Sequence, residues 1–103
     1  MSIIALDFDG VLSDRAGQPM QGALDYVRRL TRAGHEVFVH SARANYPGGV
    51  QYIRDWLLVH EFPFLTIEPK PLADVYVDDR AVTHRRDWNA TYINVTHAIG
   101  RRT

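Results

Sequence analysis

Four short stretches of this sequence carry side chains of the types and spacing that could form a reacting site. Asp7 and Asp9 flank Phe8 and are followed by Gly10, Ser41 stands two residues before Arg43, Lys70 lies between two prolines, and Asp78, Asp79 and Arg80 are consecutive. A carboxylate can serve as a nucleophile that divides one difficult displacement into two easier ones, while a second carboxyl protonates the leaving oxygen and later activates water. At an extended strand end Asp7 and Asp9 fall on the same side, where two like charges repel unless a cation lies between them. An all-oxygen donor set of this kind suits Mg²⁺, held by one or two carboxylates together with waters and a phosphate. Arginine suits bidentate recognition of a phosphate or another anionic group. Taken singly, each stretch has a plainer reading: an acidic pair is commonly a turn, and a lone lysine is usually solvent-exposed.

The elements that must position these residues follow from the apolar pattern. Ile3 to Phe8 is a nearly continuous apolar run broken only by Asp7, the pattern of a strand buried on both faces of a parallel sheet. Within such a strand a carboxylate costs several kcal/mol unless it is paired or metal-bound. Ala23, Leu24, Val27 and Leu30 recur at helical spacing between about Met20 and Ala33, and Gly34 stands where a helix ends. His35 to His40 predicts a second strand, and Tyr46-Pro47-Gly48-Gly49 breaks the chain before a helix from about Val50 to His60. Phe62 to Ile67 predicts a short strand, Glu68 to Pro71 an irregular segment, Val75 to Val77 another strand and Thr91 to Val95 a last one. Alternating strands and helices predict a single Rossmann-like, three-layer α/β domain with a central, mainly parallel sheet. Asp7 and Asp9, Ser41, and Asp78-Asp79 then all lie at carboxyl ends of strands, outside which open α/β sheets bind their ligands.

Composition narrows the classes. A chain of 103 residues is near the common size of one domain, and its 12 basic and 12 acidic residues cancel to a formal net charge of zero. A nucleic-acid partner is therefore not indicated, since it would usually leave a basic surplus. With no cysteine there is neither a disulfide framework nor a thiolate zinc site, and the five histidines lack zinc-ligand spacing. The start of the chain lacks a signal-peptide pattern and no stretch is long enough to span a bilayer, so the expectation is a cytoplasmic protein without a membrane partner. Trp56 and Trp88 are expected in the core, and His84, Arg85 and Arg86 in a solvated turn.

Asp7-Phe8-Asp9-Gly10-Val11-Leu12 resembles the first motif, D-x-D-G-[TV]-[LV], of the haloacid dehalogenase superfamily. Val37-Phe38-Val39-His40-Ser41 resembles its second motif, Lys70 its third, and Val75-Tyr76-Val77-Asp78-Asp79 its fourth, in the family's order along the whole chain. The resemblance implies a phosphate monoester hydrolase in which Asp7 becomes an aspartyl-phosphate and Asp9 is general acid and base. It further implies that the Ser41 hydroxyl binds a phosphoryl oxygen and that Lys70 neutralises the phosphoryl charge. Mg²⁺ would be held by Asp7, the Asp9 backbone carbonyl and the late acid pair, with Asp79 as direct ligand and Asp78 acting through water, or the two exchanged. Arg43 and Arg80 are candidate contacts to the substrate's anionic group, while Asn45, Tyr46 and the Gly48-Gly49 helix start are candidates for the entrance.

Members of that superfamily often carry a cap domain after the first motif or between the second and third, and neither interval here has room for one. A capless site implies either a bulky or macromolecular phosphorylated substrate or a homo-oligomer that covers the crevice. Two other readings remain. A receiver-type, magnesium-binding signalling module also gathers acids and a lysine at strand ends, though with its phospho-accepting aspartate where this chain has Ser41; a phosphotransferase would share the first half of the hydrolytic reaction.

Overall fold

A computed structural model of the chain describes residues 1–102. In chain order the elements are β1 (Ile3–Leu6), α1 (Ala23–Arg32), β2 (Glu36–Ser41), a 3-10 turn (Ala42–Asn45), α2 (Gly49–Val59), β3 (Thr66–Pro69) and α3 (Trp88–Arg102). The strands form one three-stranded sheet in the order β1-β2-β3. Both pairings are parallel, with Ile4 opposite Val37 and Leu6 opposite Val39, then Val39 opposite Ile67 and Ser41 opposite Pro69. The protein is thus a small α/β domain with an open parallel sheet.

Two crossovers that step in the same direction across a sheet place their helices on the same face, because each is right-handed. Burial follows that rule. Ile4, Leu6, Val37 and Val39 point into a single apolar cluster with Ala23, Val27 and Leu30 of α1 and with Ile53, Trp56 and Leu57 of α2. Their neighbours point the other way: Ala5 is exposed and Ile3 is 67% exposed. β1 therefore alternates, contrary to the expectation of a strand buried on both faces, because the described helices cover one face of the sheet and β1 lies at its edge.

α1 begins after Gly22, whose φ of 84° is left-handed and whose missing side chain leaves room for the Trp88 Cβ. Its buried residues recur at the spacing the sequence suggested, and Gly34 follows it with φ 89°. β3 starts later than expected. Phe62 and Leu65 enter the core from the preceding loop, while Pro69 ends an edge strand, where its missing N–H leaves no ladder bond unmade.

The last third departs most from expectation. Thr91 to Val95 is not a strand but the middle of α3, since Trp88, Thr91 and Val95 are buried at helical spacing and Tyr92 and Ile99 pack beside them. The β-branched run suggested a strand; the anchoring of Trp88 and Val95 in the core overrides it. Tyr26 of α1 lies 4.9 Å from Tyr92 between ring centroids, and its hydroxyl donates to Asn89 Oδ1 at 2.8 Å. Val75 to Val77 forms no strand among the described residues: 71–80 is exposed throughout, and Val77 is 98% exposed. No described helix is long and apolar enough to cross a membrane.

His84 is not in a solvated turn. Its Nδ1 lies 2.6 Å from Thr91 Oγ1, its ring packs 5.2 Å from Trp88, and its Nε2 is buried without a hydrogen-bond partner among the described residues. Burial pushes the imidazole pKa below its ordinary value of 6.5, and the negative charge of Asp87 opposes this. A depressed folded-state pKa means that the unfolded chain binds the extra proton first. The contribution of His84 to stability is therefore complete above about pH 6.5 and declines as pH falls toward the folded value. Urea midpoints measured from pH 8 to pH 5 should fall less steeply for His84→Gln than for the wild type.

Trp88 joins this helix to the first loop, donating from Nε1 to the Val11 carbonyl at 2.9 Å. Trp88→Phe should cost about 1 kcal/mol in urea unfolding through that lost bond. Trp88→Ala, which also opens a cavity, should cost about 3–5 kcal/mol.

Candidate functional site

Phe8 organises the first part of the site. The ring is wholly buried, meeting Trp56 edge-on at 4.9 Å, and the Phe8 carbonyl accepts from the N–H groups of Val11, Leu12 and Ser13 at 3.3, 2.9 and 3.0 Å. Gly10, with φ 81°, allows the chain to turn this sharply directly after the strand. With Phe8 turned inward, the residues on either side of it face out. Asp7 lies just past β1 with its side chain 37% exposed, so its carboxylate is not in the strand interior as the sequence suggested.

Each carboxylate has its own cation. Asp7 Oδ1 accepts from the Phe8 N–H at 2.7 Å, and Oδ2 lies 3.6 Å from Lys70 Nζ. Lys70 arrives there because β3 runs beside β2: its N–H donates to the Ser41 carbonyl at 3.0 Å, one residue beyond the last strand pair. Asn45 fastens the two loops, donating from Nδ2 to the carbonyls of Lys70 at 2.6 Å and Ala42 at 3.1 Å. The Lys70 ammonium sits 4.2 Å from the centroid of Tyr76, whose hydroxyl donates to the Pro71 carbonyl.

Asp9 is gripped at both oxygens by Arg43, with Nη2 2.7 Å from Oδ1 and Nε 3.1 Å from Oδ2. Hydrogen bonding to Asp9 pushes the guanidinium pKa above its ordinary value; partial burial opposes this, and the negative charge of Asp9 adds to it. The guanidinium also lies 4.8 Å from the Tyr52 centroid and 5.9 Å from that of Phe8. Beneath it the backbone is tightly fitted: a Cβ at Gly49 would overlap the Arg43 carbonyl, so α2 can start there only with glycine.

Asp7, Asp9, Arg43 and Lys70 thus meet at the carboxyl ends of parallel strands, as two anions and two cations. Ser41 adjoins them in a different capacity. It is 1% exposed, and its Oγ accepts from the Arg43 N–H at 3.1 Å, capping the 3-10 turn. The late acid pair is not gathered with the first. Asp78 Oδ1 accepts from the Arg80 N–H at 2.7 Å within a local turn, and Asp79 and Arg80 line a cavity of about 270 Å³ with Ala81, Ala98 and Arg101. Among the described residues no group of three or more His, Asp or Glu side chains is disposed to hold a metal ion. The donors have the hard-oxygen chemistry of a Mg²⁺ site, but the arrangement described does not assemble one, because 71–80 lies off the sheet.

Sequence reasoning missed Tyr52 and Tyr76, the rings under the two cations. Tyr52 carries a signal, in that it lies one turn into α2, off the apolar face of Ile53, Trp56 and Leu57. Tyr76 was hidden inside an expected strand. Of the entrance candidates, Asn45 serves as a loop fastener, and Tyr46 is exposed.

Comparisons with known proteins add no relative: no protein-family model matches the chain, and no curated protein or solved structure matches it significantly.

The Arg43–Asp9 pair is well formed but wet, its side chains being 41% and 52% exposed. Exposed pairs contribute little to folding, so Arg43→Ala should change the free energy of urea unfolding by less than about 1 kcal/mol.

Proposed function

We propose that the chain is a small, capless, magnesium-dependent phosphatase of the haloacid dehalogenase type, hydrolysing a phosphate monoester through an aspartyl-phosphate on Asp7. The observation that carries this reading is the meeting of two carboxylates, a lysine and an arginine at the carboxyl edge of the sheet. The same reading takes the domain as a Rossmann-like core, supported by its two successive parallel pairings; the third layer of a complete three-layer fold would have to cover the face that Ile3 and Ala5 leave exposed.

In the first half-reaction Asp7 Oδ2, the oxygen facing Lys70, attacks phosphorus. The bond to the leaving oxygen breaks, and Asp9 supplies the proton that oxygen takes. In the second half Asp9 removes a proton from water as the water attacks the same phosphorus, Asp7 is released and inorganic phosphate departs. Lys70 offsets charge on the phosphoryl oxygens throughout, which is most of what such a transfer requires from a protein. Ser41 Oγ accepts from the Arg43 N–H and keeps its O–H to donate to a phosphoryl oxygen, which would have to reach a side chain that is 1% exposed. Mg²⁺ is proposed from donor chemistry alone, with Asp7, Asp9, Asp79 and Asp78 as its residues; since the described arrangement does not gather the two acid pairs, they could share the ion only if 71–80 closed onto the sheet edge, and the ion would then supply further positive charge at the phosphoryl group. The exposure of Asp7 and Asp9 suits a bulky or macromolecular phosphoester, or a second copy lying over the site.

Inorganic phosphate release from a panel of aryl, sugar, nucleotide and nucleic-acid-end monoesters tests the proposal. Repeated turnover that stops with EDTA and returns with Mg²⁺ is expected. Asp7→Asn should lower kcat by a factor of about 10⁴ or more with unchanged circular dichroism. Full activity in that variant would remove Asp7 from the mechanism, and a single unreleased phosphorylation would indicate a signalling module instead.

A further inference from the structure

Arg43 is fixed in its backbone and loose in its side chain. Its N–H donates to Ser41 Oγ at 3.1 Å, its carbonyl accepts from the Tyr46 N–H at 3.2 Å, and Gly49 packs against that carbonyl. Among the described residues the guanidinium is held by the Asp9 carboxylate and by the aromatic faces of Tyr52 and Phe8. As found, the pair ties up both oxygens of the carboxylate that the proposed reaction needs as acid and base. A second anion brought to this edge would therefore compete for Arg43.

We propose that Arg43 is a partner-exchanging cation held in place by Tyr52: an incoming phosphate monoester dianion draws the guanidinium off Asp9 onto its own oxygens, and so uncovers Asp9. This rests on the phosphatase reading and adds to it a substrate-class filter and a positioning residue, Tyr52. The exchange is favourable because a guanidinium fork matches two phosphoryl oxygens as well as it matches a carboxylate, and the dianion carries twice the charge. The partly exposed Arg43–Asp9 pair has little stability to lose. Tyr52 keeps the guanidinium plane near the carboxyl edge in both states, so the movement is a short side-chain rotation that leaves the aromatic contact in place. Lys70 differs. Its side chain is 21% exposed, and its ammonium packs 4.2 Å from the Tyr76 centroid and 3.6 Å from Asp7 Oδ2, an oxygen the incoming phosphoryl group would meet with Lys70 already in place. Phosphodiesters and carboxylates, with a single negative charge, should exchange poorly.

Calorimetric binding of inorganic phosphate at pH 8 to the metal-free full chain, with variants checked by circular dichroism, tests this without requiring turnover. Arg43→Ala should weaken binding about tenfold or more. Tyr52→Leu should weaken it roughly threefold, while Tyr52→Phe, which keeps the ring, should not. Asp9→Asn should tighten binding, and by a smaller factor when combined with Arg43→Ala, since the competition is for Arg43. With any hydrolysed ester, Tyr52→Leu should raise KM more than it lowers kcat. Phosphate binding that is absent, or indifferent to Arg43 and Tyr52, or a gain in Asp9→Asn that is equal with and without Arg43, overturns the exchange even if the chain is a phosphatase. The expected binding pattern with no ester hydrolysed would uphold the exchange and sink the hydrolytic reading.

Discussion

Two carboxylates two residues apart at one strand end need compensating charge nearby, and the arrangement around them is organised by that requirement. The chain meets it with one cation for each acid, Lys70 for Asp7 and Arg43 for Asp9, brought from two different connections. Both cations lie just past the ends of β2 and β3, which finish together at Ser41 and Pro69, two residues beyond the Leu6–Val39 pair that closes β1, so they flank the Asp7-Phe8-Asp9 segment that continues from it. Each is also laid over a tyrosine ring, so that the position of the charge is set by packing and not only by the ion pair.

Phe8 links the packing of the core to the placement of the charges at the sheet edge. Its ring belongs to the core formed by the strands and α2, while its carbonyl closes the turn that aims Asp9 outward. The partner helix does the same in reverse: Trp56 of α2 supports Phe8 from below, and Tyr52, one turn earlier, supports Arg43 from beside. Trp88 extends the linkage to α3 through the Val11 carbonyl. Disturbing any of these packing residues should therefore displace a charge at the sheet edge as well as weaken the fold.

The first seventy residues were largely legible. Their elements follow period and punctuation: the α1 stripe, the left-handed Gly34, the breaker before α2 and the apolar core of β2 all sit within a few residues of expectation. Asp7, Asp9 and Lys70 stood out as candidates because acids after an apolar run, and a lysine between prolines, are unusual positions for surface residues, and Arg43 stood out by its place two residues after Ser41. What the sequence could not reveal was which partner each charge takes, since the Arg43–Asp9 grip spans 34 positions and depends on a helix start that only glycine permits. The tail was misread for a physical reason. Thr91 to Val95 is rich in strand formers, yet burial of Trp88 and Val95 on a helical face decides its form. Val75 to Val77 looks like a strand locally, but lies off the sheet, and with it the late acid pair.

The central claim is that Asp7 is the atom donor that takes the phosphoryl group. Acid quenching of the chain during turnover of an aryl phosphate, followed by peptide mapping, examines it directly. A hydroxylamine-labile phosphoryl group on the peptide containing Asp7, absent in Asp7→Asn, is the result the account predicts. Steady turnover with no phosphoryl group on Asp7, or with one on a different residue, would contradict it.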